Sequence, residues 1–170
     1  MRNVVYGVGM SLDGYIARPD GAVDFLFMPE DYSMEPFMQS IDASIMGRKT
    51  YEASLAMGAT YSPETTSYVY SRTLAGRTGI TVVTEPPRDL VASIRQNPGK
   101  DIWLMGGGEV ARSFLKDDAI DEIYIGIVPV TIGAGIPAFP GGFPERSFEL
   151  TVCKCYSRGM VELRYRRVRS

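Results

Sequence analysis

Three consecutive glycines, Gly106, Gly107 and Gly108, separate the apolar run Ile102-Trp103-Leu104-Met105 from a segment in which Val110, Phe114 and Leu115 recur at helical spacing. That order predicts a strand, a tight turn and the start of a helix. Glycine enters positive φ at little cost and, lacking a Cβ, lets another group approach the backbone closely. One glycine suffices for a turn. Three leave room for something against the backbone, and the free N–H groups and positive dipole end of the helix favour an anion such as a phosphate. Glu109, just inside the helix, suits the same dipole, so a compact turn without ligand is the competing reading. The glycines are accompanied by neither a G-x-G-x-x-G pattern nor the Lys-Ser/Thr of a P-loop.

Two further clusters fall where a strand gives way to other structure: Gly47-Arg48-Lys49-Thr50 and Ser71-Arg72-Thr73. Guanidinium forks and hydroxyls suit phosphate oxygens. Arg48 and Arg72 can clamp a monoester phosphate while the glycine turn receives a pyrophosphate. Taken singly, each arginine reads equally as a surface ion-pair partner. Together with the glycines they point to a dinucleotide carrying an extra phosphate. The chain has no histidine, which removes Ser-His-Asp and Cys-His hydrolases and His-ligated metals. Cys153 and Cys155 make a poor disulfide and a poor metal site, and are read as core-facing or edge thiols.

The elements that must carry these residues alternate. A strand at 3–10 leads into a loop with two Asp-Gly turns, Asp13-Gly14 and Asp20-Gly21. A short helix near 33–41, the strand Ala43 to Gly47 and a helix closed by Gly58 come next. Strands near 67–71 and 80–84, a helix near 89–96, the glycine unit and the strand 121–128 follow. A Gly/Pro-rich loop and two closing strands around Ser157-Arg158-Gly159 end the chain. Such alternation implies a mostly parallel α/β sheet with antiparallel pairing at one edge, in which ligands bind beyond the carboxyl ends of the strands. In the last strand Val161, Leu163 and Tyr165 alternate with Glu162, Arg164 and Arg166, which predicts a solvated charged face.

With 170 residues, 45% hydrophobic and 22% charged, the chain fits one globular domain spanning 1–170. A net charge of −2 gives no reason to bind nucleic acid. No apolar run approaches the ~20 residues of a membrane helix, and the opening residues complete no signal peptide, so a cytoplasmic protein is expected. The apolar, Gly/Pro-rich loop from Val128 to Phe143 and the C-terminal hairpin predict a homodimer.

The segments SLDGYIA, IMGRKTYE, VYSRTL and WLMGGGEVARSFL resemble, in order and approximate spacing, the dihydrofolate reductase superfamily. The loop TIGAGIPAFP is similar to the reductase domain of the bifunctional riboflavin-biosynthesis deaminase-reductase and its stand-alone bacterial relatives. The resemblance covers nearly the whole chain. It implies a three-layer α/β fold whose mixed, mostly parallel sheet has about eight strands and ends in an antiparallel hairpin. It further implies that NADPH binds with Gly9 and Ile16 flanking the nicotinamide. Arg48, Lys49 and Thr50 would meet the phosphate region, and Ser71 and Arg72 the adenosine 2′-phosphate. Gly106, Gly107, Gly108, Glu109 and Val110 would meet the pyrophosphate. Catalytic carboxylates would be Asp31, at the interval where dihydrofolate reductase carries its helical acid, and Asp13, which reads equally as a turn residue. Gly126 stands where folate enzymes have a pocket threonine. The implied activity is NADPH-dependent reduction of a small heterocycle, as in 5-amino-6-(5-phosphoribosylamino)uracil reductase. The alternatives are a dihydrofolate reductase proper and a non-catalytic scaffold that kept the fold.

Overall fold

The structure is a computed structural model that describes residues 1–61, 65–76 and 78–169. Eight strands form one sheet: β1 (Val4–Ser11), β3 (Ile41–Gly47), β4 (Thr66–Tyr70), β5 (Ile80–Val83), β6 (Asp101–Leu104), β7 (Glu122–Val128), β9 (Phe148–Cys155) and β10 (Val161–Arg167). Their spatial order is β5-β4-β3-β6-β1-β7-β10-β9. The six strands from β5 to β7 pair in parallel, and β10 runs antiparallel to both of its neighbours. The mixed α/β sheet with a C-terminal hairpin is therefore the one the sequence implied. Val4, Val5 and Tyr6 of β1 are at most 5% exposed because helices cover both faces of the central strand, and such a strand reads as an apolar run rather than an alternation.

Helices α3 (Pro87–Ile94) and α4 (Gly108–Lys116) lie on one face, packing Leu90, Val91, Ile94, Ala111, Phe114 and Leu115 against the side chains of β1, β3, β6 and β7. On the other face, Phe37 of α1 (Glu35–Gln39) packs with Val5 and Tyr124, and Tyr51 of α2 (Arg48–Ala56) with Met46 and Val69. Three layers result. Helix α3 starts two residues earlier than its apolar spacing suggests because Pro87 occupies its first turn, where the missing N–H has no intrahelical acceptor to serve. Helix α1 is shorter than expected. The Ser33 hydroxyl accepts the Glu35 N–H ahead of it, and the Ser40 hydroxyl donates to the Phe37 carbonyl at its end.

Two expectations are corrected and one alternative is decided. Short strands β2 (Tyr15–Ala17) and β8 (Ile136–Pro137) pair antiparallel within segments read as loops, being too brief for an alternation to show. Of the two readings of the thiols the edge one holds, since Cys153 and Cys155 are exposed on the edge strand β9. Glu162 is 2% exposed rather than solvated, because its face of the sheet is covered. Among the described residues no helix is long and apolar enough to cross a membrane.

The amino ends of the strands are tied by Asp121, 6% exposed, whose carboxylate accepts the Val4 N–H at 2.8 Å, Arg95 at 2.6 Å and Arg169 at 2.8 Å. Asp121→Ala leaves the buried Val4 N–H without its acceptor and takes from Arg95 its carboxylate partner, while Arg169 keeps Asp118. It should lower the unfolding free energy by about 3 kcal/mol, read from the urea midpoint at unchanged m-value.

Candidate functional site

Strands β3 and β6 are neighbours, yet the helices that follow them lie on opposite faces of the sheet. The crevice between diverging helices is where an open α/β sheet accepts ligands. Here the two strand ends are bonded together: the Gly47 N–H donates to the Gly106 carbonyl at 3.3 Å, and the Met105 N–H to the Ile45 carbonyl at 2.9 Å. The N-termini of α2 and α4 thereby meet. Their cap residues, Gly47 and Gly107, are extended and supply no side-chain cap, so the first-turn N–H groups of both helices remain available to an anion.

The three glycines have three different reasons to be glycine. Gly106 has φ +96, the left-handed region where a Cβ is costly, and a cis peptide bond joins it to Gly107. A Cβ on Gly108 would lie 2.6 Å from the Pro137 carbonyl oxygen, so that glycine exists to let the β8 segment close on the helix. Gly107 has φ −70, a conformation any residue adopts, and among the described residues a Cβ there would meet only Thr50 Oγ1, at 3.5 Å. Positive φ is thus required at Gly106 and not at Gly107. What remains for Gly107 is the open space beside Thr50, between the two helix ends.

Most of the expected cofactor residues come together around this point. Val110 packs on Gly47, where a Cβ would stand 3.0 Å from its Cγ2, and Ile16 Cδ1 lies 3.8 Å from the corresponding position on Gly106. Arg48 sits in the first turn of α2, bonded to Glu52 and, at 2.6 Å, to Thr73 Oγ1. The ion-pair reading of Arg48 and its position beside the crevice hold together. Lys49 is exposed one residue on. Ser71 accepts the N–H groups of Thr73 and Leu74, shaping the turn that carries Arg72. Glu109 is paired with Arg112 along its own helix.

A cleft of about 440 Å³ opens beyond β4 and β5, lined by Tyr70, Ser71, Arg72, Glu85, Glu109 and Val110 among others. In it the buried Tyr70 hydroxyl has no hydrogen-bond partner among the described residues. Burial, followed by the nearby Glu85, Asp117 and Asp89 carboxylates, holds the Tyr70 hydroxyl well above the usual tyrosine range, so it stays a donor. An orphaned buried donor is costly unless something bonds to it. These residues fit a phosphorylated nucleotide. A second cavity, at the amino ends of the strands, is lined by Arg2 and Asp42, which satisfy each other.

Asp13 and Asp31 do not join this constellation. Asp13 accepts the Ser11 hydroxyl at 2.6 Å and the N–H groups of Ile132 and Gly133, pinning the loop before β8. Asp31 accepts both the N–H and the hydroxyl of Ser157 in the turn between β9 and β10. Hydrogen bonds to Ser11 in the first case and to Ser157 in the second hold each carboxyl below the usual carboxylate range. Both are anions with acceptor sites already in use, a poor state for a proton donor.

A different carboxylate occupies the sheet beside the expected nicotinamide position. Gly9 on β1 pairs with Gly126 on β7, and Gly126 pairs with Glu162 on β10. Glu162 is thus two strand spacings, about 10 Å, from Gly9. Its Oε2 accepts the hydroxyls of Tyr156 at 2.8 Å and Tyr124 at 3.3 Å, and its Oε1 accepts Arg164 Nε at 2.8 Å. Tyr124 shares a further bond of 2.7 Å with Tyr32. Burial first, then the bond to Glu162, pushes Tyr156 up to about 12, and burial raises Tyr32 and Tyr124. Over the glycine pair lie the flexible ends of two side chains: Leu26 Cδ1 is 3.4 Å from a Cβ built on Gly9, and Met160 Cε 2.8 Å from one on Gly126. Sequence reasoning missed this cluster because alternation in β10 cannot report that segments 25–34 and 156–160 cover it.

Comparison with known proteins agrees with this fold. The chain is 35% identical over 170 residues to Uncharacterized protein YwjB of Bacillus subtilis (strain 168), covering 96% of this chain and 97% of that one. A solved structure of a protein assigned to riboflavin biosynthesis in Shewanella sp. PV-4 superposes with a TM-score of 0.87 at 26% identity, covering 99% of this chain and 100% of that one. The diaminohydroxyphosphoribosylaminopyrimidine deaminase/5-amino-6-(5-phosphoribosylamino)uracil reductase of Thermotoga maritima shares the fold, with a TM-score of 0.76 at 13% identity over 98% of this chain and 57% of that one. Matched over residues 2–161, the chain belongs to the RibD C-terminal domain family.

Proposed function

We propose that this protein is an NADPH-dependent reductase acting on a C=N or C=O bond of a small heterocycle of the 5-amino-6-(5-phosphoribosylamino)uracil type. The observation that carries the reading is the meeting of two uncapped helix N-termini at the Gly47–Gly106 bond, next to a cleft with an orphaned tyrosine hydroxyl. The N–H groups of residues 108–110 and 48–50 would hold the pyrophosphate of such a dinucleotide, and the Tyr70 hydroxyl and Arg72 would serve its adenosine end. The bound dinucleotide supplies the hydride.

The chain's own task is to hold the heterocycle over Gly9 and Gly126 and to deliver one proton. Tyr124, Tyr156 and Tyr32 are the hydroxyls available beside that pair, and their raised proton affinity keeps them protonated at neutral pH. Glu162 is a positioning residue that fixes two of those hydroxyls. Asp31, bound to Ser157, is not free to grip a pterin as the helical acid of folate enzymes does, which favours the pyrimidine reading over dihydrofolate. Purified protein assayed for NADPH oxidation with 5-amino-6-(5-phosphoribosylamino)uracil and with dihydrofolate tests the assignment. Turnover of the first and not the second is expected. Turnover of dihydrofolate alone, or of neither, overturns the substrate reading.

A further inference from the structure

Beyond the carboxyl end of β7, the turn from Tyr156 to Met160 joins β9 to β10 and is closed by the Tyr156 N–H donating to the Met160 carbonyl at 2.8 Å. Gly159 rests on Pro129, whose Cγ would stand 3.1 Å from a Cβ there. The turn grips the segment 25–34 through three contacts. Asp31 accepts the Ser157 N–H and hydroxyl, Tyr32 and Tyr156 pack edge to face at 5.2 Å, and the Arg158 guanidinium lies 4.0 Å from the centre of the Phe27 ring. Arg158 and Gly159 have φ +58 and +78, successive positive values of the kind a type I′ hairpin turn requires. Asparagine, aspartate and glycine suit the first of those positions, whereas arginine is strained there. Such strain is found where the surroundings enforce it and a function uses it.

The Arg158 guanidinium is exposed, and its charge is unmatched within the fold. Arg18 and Arg164, which also lie over aromatic rings in this region, are each paired with a carboxylate, Asp24 and Glu162. Arg158 pairs with no carboxylate among the described residues, and Asp31 is engaged by Ser157. A guanidinium stacked on a ring keeps its in-plane N–H donors directed outward, the fork that receives two phosphate oxygens. Its position is specific. Phe27 follows Leu26, which lies over Gly9, and Arg158 precedes by two residues Met160, which lies over Gly126. The stacked pair therefore stands at the rim of the glycine floor, about 3 Å of extended chain from one covering residue and about 7 Å from the other. That span is comparable with a ribosyl phosphate.

We propose that Arg158, presented by its strained turn and by the Phe27 ring, is the receptor for the phosphate monoester of the substrate. The proposal rests on the reading of the site as one for a phosphoribosylated heterocycle and names the residue that tells such a substrate from its nucleoside. The receptor is separate from the cofactor's phosphates, since Arg72 and its cleft lie beyond β4 and β5, toward the opposite edge of the sheet.

Steady-state kinetics with 5-amino-6-(5-phosphoribosylamino)uracil and with the same compound lacking its phosphate test the assignment. The wild type should favour the phosphorylated compound at least about tenfold in kcat/KM, the equivalent of one charged hydrogen bond. Arg158→Asn suits the backbone of the turn and should fold normally. It should raise the KM for the phosphorylated compound at least about tenfold while leaving kcat, the KM for the dephosphorylated compound and the KM for NADPH unchanged. Arg158→Lys, which keeps the charge without the fork, should lose an intermediate factor. Equal losses with both compounds, as a structural role would give, or wild-type constants throughout would overturn the proposal. A titration of ribose 5-phosphate and of ribose into the protein with excess NADPH reads the same site without chemistry. Ribose 5-phosphate should bind the wild type, bind Arg158→Asn at least about tenfold more weakly, and ribose should bind neither. If no pyrimidine is turned over, binding of ribose 5-phosphate that depends on Arg158 upholds the phosphate receptor while the pyrimidine reading fails. Binding that is absent or independent of Arg158 overturns the receptor even where pyrimidine turnover holds.

Discussion

Gly107→Val is expected to fold like the wild type and to bind NADPH at least about a hundredfold more weakly. The φ and ψ of Gly107 are ones that any residue adopts, and among the described residues the nearest obstacle to a side chain is Thr50 Oγ1, in ordinary contact. The branched side chain fills the space between the two helix ends instead. Losing two hydrogen bonds to a charged phosphate, each contributing about 1.5 kcal/mol or more, corresponds to that factor. The neighbouring substitution behaves oppositely. Gly108→Val drives its Cβ into the Pro137 carbonyl and against Pro140, and should lower stability by about 3 kcal/mol, because backbone rather than a flexible side chain must move. Isothermal titration with NADPH and chemical denaturation of both variants check the contrast. A folded Gly107→Val protein with unchanged NADPH affinity would reduce the glycines to a turn.

Glu162→Gln should retain wild-type NADPH affinity and lose about a hundredfold or more in kcat with 5-amino-6-(5-phosphoribosylamino)uracil. Positioned proton transfer contributes about a hundredfold to ten-thousandfold in general. The substitution keeps the shape of a side chain that accepts two tyrosine hydroxyls and Arg164, but removes the charge that orients them. Tyr124→Phe should reproduce much of the loss at similar KM. A purely structural role would lower the melting temperature while leaving the pH profile of kcat in place. A wild-type profile in Glu162→Gln would sink the positioning role.

The layers and the strand-end cluster were legible in the sequence because they rest on local signals. Apolar runs of strand length mark β1, β6 and β7, and Arg48, Ser71, Arg72 and the glycines mark the places where strands end. What escaped depends on tertiary cover. Glu162 belongs to a polar alternation that reads as solvated, and only the packing of Tyr32 and Tyr156 at 5.2 Å shows how the flanking segments close over it. Asp13 and Asp31 drew attention as carboxylates in plausible places, yet each holds a remote backbone segment, 119 and 126 residues away in sequence, that no local pattern reveals. Nor can local pattern tell apart three adjacent glycines whose constraints come from their own φ, from an open space and from Pro137.

The most direct test of the central claim is the thermal stabilisation of the wild-type protein by NADPH compared with NADH. The crevice between α2 and α4 with the Arg72 cleft beside it should bind NADPH, which at one hundred times its Kd would stabilise the fold by about 2.7 kcal/mol. NADH, lacking the 2′-phosphate that Arg72 and its neighbours would meet, should require at least about tenfold higher concentration for the same shift, the equivalent of one charged hydrogen bond. No shift with either dinucleotide, or identical titrations with both, would contradict the account.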